Sequence, residues 1–443
     1  MLTKHLDEAK RAAVEALRAV LAAEPEIEKA VLIDDLFGRI RVVVWAPAEA
    51  SGLREKLDGA LRAAAGPFWS GDVWMAGGKT LSPADAMVYE KAWAESGPIT
   101  PGEKRLHVGE RRRNRSAWFR KIEPTLWPAK GDNAGPPVLT FFSFKGGVGR
   151  TTALAAFAIQ RAREGERVAV IDMDLDAPGA GTLLAADDQG TVAPWGAIDY
   201  LLERPLDELD LRDYYHACRR EPVTGKGEIV VVPAGSLAPT RDYLNKLARV
   251  DFESPEVEGA KPPLYLLLEQ VRQELRPHWI LLDSRAGLSE PAGLLLGGIA
   301  HLQILFGTSS EQSWQGLQVV LERIGASRVR EGNTQLECIL VQAMVPENAK
   351  AAAQAKEAFA ARALEEYRAH YYAEDPEDPD EDALWYVRDS EASDSPHVPV
   401  PITYQPKLAH FERLDEVADD LANSPEHKAL AERIQQRFVS TKE

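Results

Sequence analysis

Apolar runs of strand length alternate with helix-length segments from residue 138 of this 443-residue chain onward. Strands that are joined in this way through helices are parallel, and helices then cover both faces of the sheet. The pattern predicts an α/β fold, a doubly wound, mostly parallel sheet with helices on both faces. The runs are VLTFFSF at 138–144, RVAVIDMD at 167–174, GEIVVVPA at 227–234, HWILLDS at 278–284, LQILFGT at 302–308 and LECILVQ at 336–342.

A different pattern precedes this region and predicts a small N-terminal α+β domain over residues 1–130. The stretch 131–137, rich in Gly and Pro, is typical of a linker. Residues 138–443 would then form the α/β domain with a C-terminal helical extension. The elements predicted in the first domain are helices at 3–23, about 49–65 and 82–93 and strands at 30–33, 40–46 and 69–76.

Composition excludes several classes of protein. Two distant cysteines, Cys218 and Cys338, allow neither a disulfide framework nor four thiolates for an iron–sulfur cluster. The formal net charge of −17 argues against a surface that coats nucleic acid. The charged start lacks the apolar core of a signal peptide, and no uncharged stretch of about 18 apolar residues exists. We therefore expect a cytoplasmic protein without stable membrane insertion.

A glycine-rich loop follows the first of these apolar runs directly. It reads FKGGVGRTT over 144–152, and the helix-like ALAAFAIQRAREG comes next. Glycines let a backbone wrap closely around phosphate oxygens, and the N–H groups of the first helical turn point at the anion. A hydroxyl directly after the basic residue is placed to hold Mg²⁺. The sequence predicts a phosphate-binding loop formed by Gly146, Gly147, Val148, Gly149, Arg150, Thr151 and Thr152.

Carboxylates end two of the predicted strands. Asp172, Asp174 and Asp176 alternate along VAVIDMDLDAPG and so lie on one face, where their repulsion requires a cation, hydrogen bonds or water. Asp283 ends HWILLDS, in the position where a Walker B carboxylate holds the water shell of magnesium. Arg285 follows it and could contact phosphate, although a structural ion pair is the simpler expectation.

The loop resembles the deviant Walker A motif of the ParA/MinD family of ATPases, which share the CobQ/CobB/MinD/ParA nucleotide-binding domain. It departs from G-x-x-x-x-G-K-[ST] in two places, with Phe144 in place of the first Gly and Arg150 in place of Lys. The spelling KGGVGR is that of a distinct branch of the family. The resemblance implies that Lys145 reaches across a dimer interface to the nucleotide of the partner.

The resemblance also implies roles for the other motif residues. Asp174 would position the attacking water, Asp172 would support the magnesium that Thr151 and Asp283 hold, and Gly287 would offer its N–H to the γ-phosphate. Gln342 and Pro346 stand nearest to the family's adenine-recognising segment. The sequence has no N-K-x-D motif, which favours ATP over GTP.

These observations predict a magnesium-dependent ATPase that dimerises on ATP and signals to an unknown protein partner. One alternative is a nucleotide-binding regulator with negligible turnover, because Arg is longer and forked where Lys is usual. A second is a DNA-positioning ATPase acting through the basic, aromatic stretch 110–121, although docking or plain solvation of that stretch is favoured. The helix-like stretch at 427–438 is interpreted as a closing helix packed on the sheet rather than a membrane anchor.

Overall fold

The computed structural model describes the chain except for residues 1–4, 48–51, 77–81, 101, 113–115, 121, 123, 251, 253–260, 327–334, 376–383, 409, 412 and 440–443. It divides into two compact units, residues 1–114 and residues 115–443. The division lies before the stretch 115–130, which the sequence pattern had assigned to the first domain. Trp118 and Trp127 of this stretch pack within the second unit.

The first unit contains a five-stranded mixed sheet in the order β3-β2-β1-β5-β4. The helices α1 and α2 share a core with one face of the sheet, and α3 contributes Ala92 to the core on the other face. The predicted α+β domain is therefore present. Its elements are α1 (Leu6–Ala23), β1 (Lys29–Asp34), β2 (Ile40–Trp45), α2 (Leu53–Ala65), β3 (Trp69–Met75), α3 (Pro83–Ala94), β4 (Gly97–Pro98) and β5 (Leu106–Glu110).

The second unit is built on an eight-stranded sheet in the order β13-β12-β11-β6-β10-β7-β9-β8. Every strand pair is parallel except β8 with β9. The strands are β6 (Val138–Ser143), β7 (Arg167–Met173), β8 (His216–Cys218), β9 (Glu228–Val232), β10 (Trp279–Ser284), β11 (Leu302–Gly307), β12 (Cys338–Val345) and β13 (Val400–Thr403).

Helices cover both faces of this sheet, and its central strands are therefore buried on both sides. One face packs on α4 and the C-terminal helices, and the other on α6, α9 and α11. The helices are α4 (Arg150–Arg163), α5 (Ala180–Leu183), α6 (Ala197–Glu203), α7 (Glu221–Thr224), α8 (Thr240–Leu247), α9 (Pro263–Gln270), α10 (Glu290–Leu294), α11 (Glu311–Ile324), α12 (Ala349–His370), α13 (Ala418–Asn423) and α14 (Pro425–Gln436).

The predicted doubly wound α/β architecture is confirmed. All six apolar runs form strands of the large sheet. The interpretation of the C-terminal stretch as a closing helix also agrees with the structure, since Leu430 and Ile434 of α14 are buried in the core. Phe438, just beyond α14, packs edge-to-face on Trp279 with ring centroids 5.6 Å apart.

Four short strands escaped sequence analysis, of which β4 has only two residues. β5 lies inside a charged, Pro- and Gly-containing stretch, and it pairs in parallel with β1 in the middle of the small sheet. β8 has only three residues. β13 carries Pro401 and lies at the edge of the large sheet, where the missing N–H of proline is tolerated. In the part of the chain that the structure describes, no helix is at once long and apolar enough to cross a membrane.

Candidate nucleotide site

The glycine loop lies between β6 and α4, as its sequence context predicts. Gly147 and Gly149 have φ angles of 72° and 88°, in the left-handed region that residues with a side chain rarely adopt. Gly149 is also the residue that precedes the first turn of α4. The free N–H groups of that turn therefore face the carboxyl ends of the central strands, where ligands bind in open α/β sheets.

Arg150 is the most heavily engaged side chain of the loop. It is buried, its Nε donates to Asp283 Oδ1 at 2.8 Å, and its Nη2 donates to Asp174 Oδ2 at 3.1 Å. Burial by itself would lower the pKa of Arg150, but the two carboxylates outweigh it and raise that pKa. The guanidinium is thus a fixed positive charge between the two acids.

Thr151 completes this cluster. Its Oγ1 donates to Asp283 Oδ2 at 2.8 Å, so both oxygens of the Asp283 carboxylate are used. Asp283 is 1% exposed, and burial raises its pKa although Arg150 and Thr151 oppose that shift. The hydroxyl and the carboxylate predicted to hold magnesium are therefore in direct contact.

Asp172 is directed elsewhere. Its Oδ2 accepts from the N–H groups of Gly179 and Ala180 at 3.1 and 3.0 Å, and its Oδ1 accepts from the N–H of Asp174 at 3.1 Å. These bonds tie the turn after β7 and the start of α5 to the strand. Burial, and next the charge of Asp283, nevertheless raise the pKa of Asp172 to about 7. Asp172 and Asp283 are register partners on neighbouring strands, which explains their proximity.

A cavity of about 540 Å³ opens in front of this cluster, within the usual range for a small-molecule site. Asp174 lines it together with all seven predicted loop residues, Gly146, Gly147, Val148, Gly149, Arg150, Thr151 and Thr152. Arg285 and Ala286, from the segment after β10, line it as well. The structure therefore brings most of the predicted phosphate-binding residues into one wall.

Sequence reasoning missed the second part of the cavity wall. It consists of Met344 at the end of β12, residues 402–405 of β13 and the segment after it, Leu408, and His427 of α14. His427 is 4% exposed, and its Nδ1 is buried without a hydrogen-bond partner among the described residues. Burial lowers the pKa of this imidazole and so favours its neutral form. The available signal was the alternation in VPVPITY, which indicates an edge strand interrupted by prolines.

The two residues expected near adenine lie outside this wall. Gln342 is buried, and its Nε2 donates to the carbonyl of Ala355 at 3.0 Å. Pro346 is exposed. Neither residue lines the cavity, whereas Met344 between them does so with a φ of 60° at an irregularity of the strand. The bulge therefore changes which residue of the β12 end faces the cavity.

Lys145, Phe144 and Gly287 flank the loop. Lys145 is exposed, and its side chain makes no hydrogen bond or ion pair within the described ranges. Phe144 packs on α11 so closely that a Cβ on Gly316 would lie 1.9 Å from its ring. The N–H of Gly287, expected to face a γ-phosphate, donates to the carbonyl of Ser143 at 3.0 Å. Phe144 and Gly287 therefore fix the loop to its neighbours.

The basic stretch 110–121 is partly used for packing. Arg111 and Arg112 pair with Glu95 and Glu110 inside the first unit. In the second unit the indole N–H of Trp118 donates to the carbonyl of Ser289 at 2.7 Å, and the ring packs so closely on Gly293 that a Cβ there would lie 2.6 Å from it. Arg113, Arg115 and Lys121 lie outside the described residues.

The fold and the loop define a P-loop nucleotide-binding protein. The family model of the CobQ/CobB/MinD/ParA nucleotide binding domain matches residues 139–423, which is more than half of the chain. The chain therefore belongs to this family. No curated protein matches it.

Several solved structures resemble a large part of this chain. A plasmid partition protein from Borrelia burgdorferi is 14% identical, with 68% of this chain and 99% of that chain covered and a TM-score of 0.39. The MinC:MinD cell division complex of Aquifex aeolicus is 16% identical, with coverage of 69% and 98% and a TM-score of 0.41. MinD of Pyrococcus horikoshii with Mg-ADP is 15% identical, with coverage of 69% and 96% and a TM-score of 0.40.

Proposed function

We propose that this protein is a cytoplasmic, magnesium-dependent ATPase that acts as a molecular switch. The observation that carries the proposal is the contact of Thr151 Oγ1 with Asp283 Oδ2 at 2.8 Å, at the end of a glycine loop that lines a cavity of about 540 Å³. In P-loop proteins a hydroxyl and a strand-end carboxylate in this arrangement are the groups that the protein supplies to hold magnesium.

The phosphate end of the cavity follows from the loop. Its backbone N–H groups and the first turn of α4 would bind the phosphates, with the glycines allowing close approach. Arg150 lies at the same place and would add a fixed positive charge, although it is already shared between Asp174 and Asp283. Binding of a polyphosphate would therefore redistribute the contacts of this guanidinium.

The charges of the cluster suit a divalent cation. Arg150 pairs with Asp174 and Asp283, while burial, and next the charge of Asp283, raise the pKa of the neighbouring Asp172. Within the described ranges no three His, Cys, Asp or Glu side chains converge as a metal cage. Mg²⁺ held by Thr151 and Asp283 would complete its oxygen shell with water and phosphate, and would supply positive charge to them. Asp172, which holds the turn after β7, would act by positioning that segment.

The base end of the cavity would be the wall formed by Met344, Tyr404, Leu408 and His427. Apolar side chains can sandwich a purine, and the neutral imidazole of His427 has one nitrogen that accepts and one that donates. An adenine edge offers the complementary pair. In this proposal His427 and Met344 replace Gln342 and Pro346 as base contacts.

Hydrolysis would depend on positioning and charge. Asp174 lines the cavity, and its carboxylate lies beside the cluster, where it would orient the attacking water. Lys145 is exposed beside the loop and would act on the nucleotide of a second copy, in an ATP-dependent homodimer. An unidentified protein partner would then distinguish the ATP and ADP states.

A second candidate is a nucleotide-binding regulator with negligible turnover. It is favoured by the two contacts that hold Arg150 against Asp283 and Asp174, because they engage the carboxylates that hydrolysis requires. The DNA-positioning alternative loses support, since Trp118 and Arg111 are used inside their own units.

Phosphate release under saturating Mg·ATP tests the proposal. Asp174→Asn should bind Mg·ATP like the wild type and lose at least about 100-fold in turnover, because an amide cannot orient the water in the same way. Asp213→Asn replaces an exposed carboxylate that is not part of the cavity wall and should leave turnover unchanged. A wild type that binds Mg·ATP without hydrolysing it would support the regulator, and a wild type that binds no nucleotide would contradict both candidates.

A further inference from the structure

Arg285 is a second arginine at the cavity, and the function proposed above gives it no role. It lies two residues after Asp283, in the segment that leaves β10. Gly287 anchors that segment, since its N–H donates to the carbonyl of Ser143 at the end of β6. The backbone that carries Arg285 is therefore fixed next to the phosphate loop, and Arg285 lines the cavity with Gly146 and Gly147.

Within the described part of the chain, the side chain of Arg285 lies against one acidic partner, Asp176. Its Nη1 lies 2.6 Å from Asp176 Oδ2, and the two side chains are 34% and 41% exposed. The contact lacks hydrogen-bond geometry, because Arg285 Nη1 has no hydrogen-bond partner among the described residues. Arg150 differs in all these respects, since it is buried and makes directed bonds to two carboxylates.

The energetics favour exchange of that partner. A partly exposed ion pair contributes little to stability, whereas a phosphoryl group offers a planar guanidinium two parallel charge-assisted hydrogen bonds. The terminal phosphoryl group of a nucleoside triphosphate also gains charge on its oxygens in the transition state of transfer. A guanidinium that moves from Asp176 to this group would stabilise that charge.

We propose that Arg285 leaves Asp176 to contact the terminal phosphoryl group of a bound nucleoside triphosphate, and that it stabilises the transition state of hydrolysis from within the same chain. Asp176 is then its partner when no terminal phosphoryl group is bound. This inference rests on the proposed function, because it requires a triphosphate on the glycine loop. It adds a catalytic residue that distinguishes triphosphate from diphosphate.

Two substitutions separate this role from a structural ion pair. Arg285→Gln should lower turnover at least about 100-fold and lower the affinity for a slowly hydrolysed ATP analogue at least about tenfold, while ADP affinity stays within about twofold. Asp176→Asn should act in the opposite direction, with equal or higher turnover and analogue affinity, because it releases Arg285. Arg285→Lys should have a higher turnover than Arg285→Gln, since lysine retains the positive charge but lacks the planar guanidinium that forms two parallel hydrogen bonds.

Arg212 and Asp210 provide the matched control. They form an exposed ion pair at 2.5 Å in the same unit, and neither residue lines the cavity. Arg212→Gln and Asp210→Asn should change neither nucleotide affinity nor turnover. These variants report what loss of a surface ion pair does by itself.

The outcomes are distinguishable from failure of the proposed function. A wild type that binds the analogue, together with an Arg285→Gln variant that binds it and turns over as the wild type does, would overturn the inference alone. Equal losses in Arg285→Gln, Asp176→Asn and the double variant would overturn it as well, because they indicate a purely structural pair. A wild type that binds neither ADP nor the analogue would overturn the proposed function and this inference with it.

Discussion

Arg150 Nε donates to Asp283 Oδ1 at 2.8 Å, so the basic residue of the phosphate loop and the carboxylate at the end of β10 form a buried ion pair. Asp174 shares the same guanidinium. The loop therefore carries a positive charge that is already committed to the acids of the site. A bound nucleotide has to compete with these carboxylates for Arg150. Nucleotide binding would therefore change the contacts of Asp174 and Asp283 through Arg150.

Replacement of Arg150 by Lys tests whether this arrangement depends on the two separate donors, Nε and Nη2, of the guanidinium. An ammonium cannot reach both Asp174 and Asp283 in the same geometry, so we expect Arg150→Lys to lower ATP affinity or turnover by about tenfold or more. Steady-state phosphate release and nucleotide titration measure the two quantities. A variant that hydrolyses ATP tenfold faster, about 1.4 kcal/mol off the barrier, would show that Arg150 restrains hydrolysis.

Gly316 of α11 should be intolerant of a methyl group. An added Cβ would lie 1.9 Å from the ring of Phe144, so Gly316→Ala should cost about 1–3 kcal/mol of unfolding free energy and displace the residue that begins the phosphate loop. Urea denaturation and nucleotide titration report the two effects. Gly59→Ala in α2 is the control, because its Cβ meets open space and should stabilise the helix by up to about 1 kcal/mol. Equal stability changes at both positions would refute the tight contact.

His301 should make the second unit sensitive to acid. Its Nδ1 accepts from the N–H of Val138 and its Nε2 lies 2.7 Å from the carbonyl of Trp127, which fits a neutral ring that donates from Nε2. Burial lowers the pKa of His301 below its ordinary value of 6.5, so the unfolded chain takes up a proton before the folded one does. The stability that His301 contributes is therefore lost as pH falls below about 6.5.

Urea unfolding at pH 7.5 and 5.5 measures this loss. The wild type should lose more stability than His301→Gln, because glutamine can accept and donate at the same places without titrating in this range. Other buried histidines are common to both proteins and cancel in the comparison. An identical pH dependence of the two proteins would contradict the assignment.

Lys145 should act between two copies of the chain. Because its side chain is exposed and points to no described partner, Lys145→Ala should keep monomeric nucleotide binding and lose both ATP-induced dimerisation and hydrolysis. Light scattering with a slowly hydrolysed analogue reports the dimer. Lys226→Ala is the control and should behave like the wild type. Lys226 lies just before β9, at the amino ends of the parallel strands and so away from the phosphate loop. A wild type that stays monomeric with the analogue would exclude action across a dimer.

The sequence predicted the parts of the fold that depend on strong local patterns. The six buried strands are continuous apolar runs, and a chain of this kind has few other ways to bury them. The glycine loop is marked by the fixed spacing of its motif. The approach of Thr151 to Asp283 followed from motif order, because the carboxyl ends of parallel strands meet at one edge.

The features that sequence analysis missed depend on tertiary packing. Gln342 was predicted to contact the adenine base. Gln342 does not line the cavity, whereas Met344, at an irregularity of β12, does, and no local signal marks such an irregularity. His427 lies at the cavity because α14 packs beside β13. The prolines of this short strand argue against a strand in the sequence pattern. Asp172, predicted to support the magnesium, also accepts backbone N–H groups of the following turn, which the sequence pattern does not show.

Calorimetric titration of the wild type and Thr151→Val with ATP, with and without Mg²⁺, tests the central claim most directly. Valine keeps the shape of threonine and removes the hydroxyl that contacts Asp283. We predict one nucleotide per chain, an affinity that Mg²⁺ raises at least about tenfold in the wild type, and loss of that gain in the variant with its Mg²⁺-free affinity unchanged. Equal affinity of the wild type with and without Mg²⁺, or no binding at all, would contradict the account.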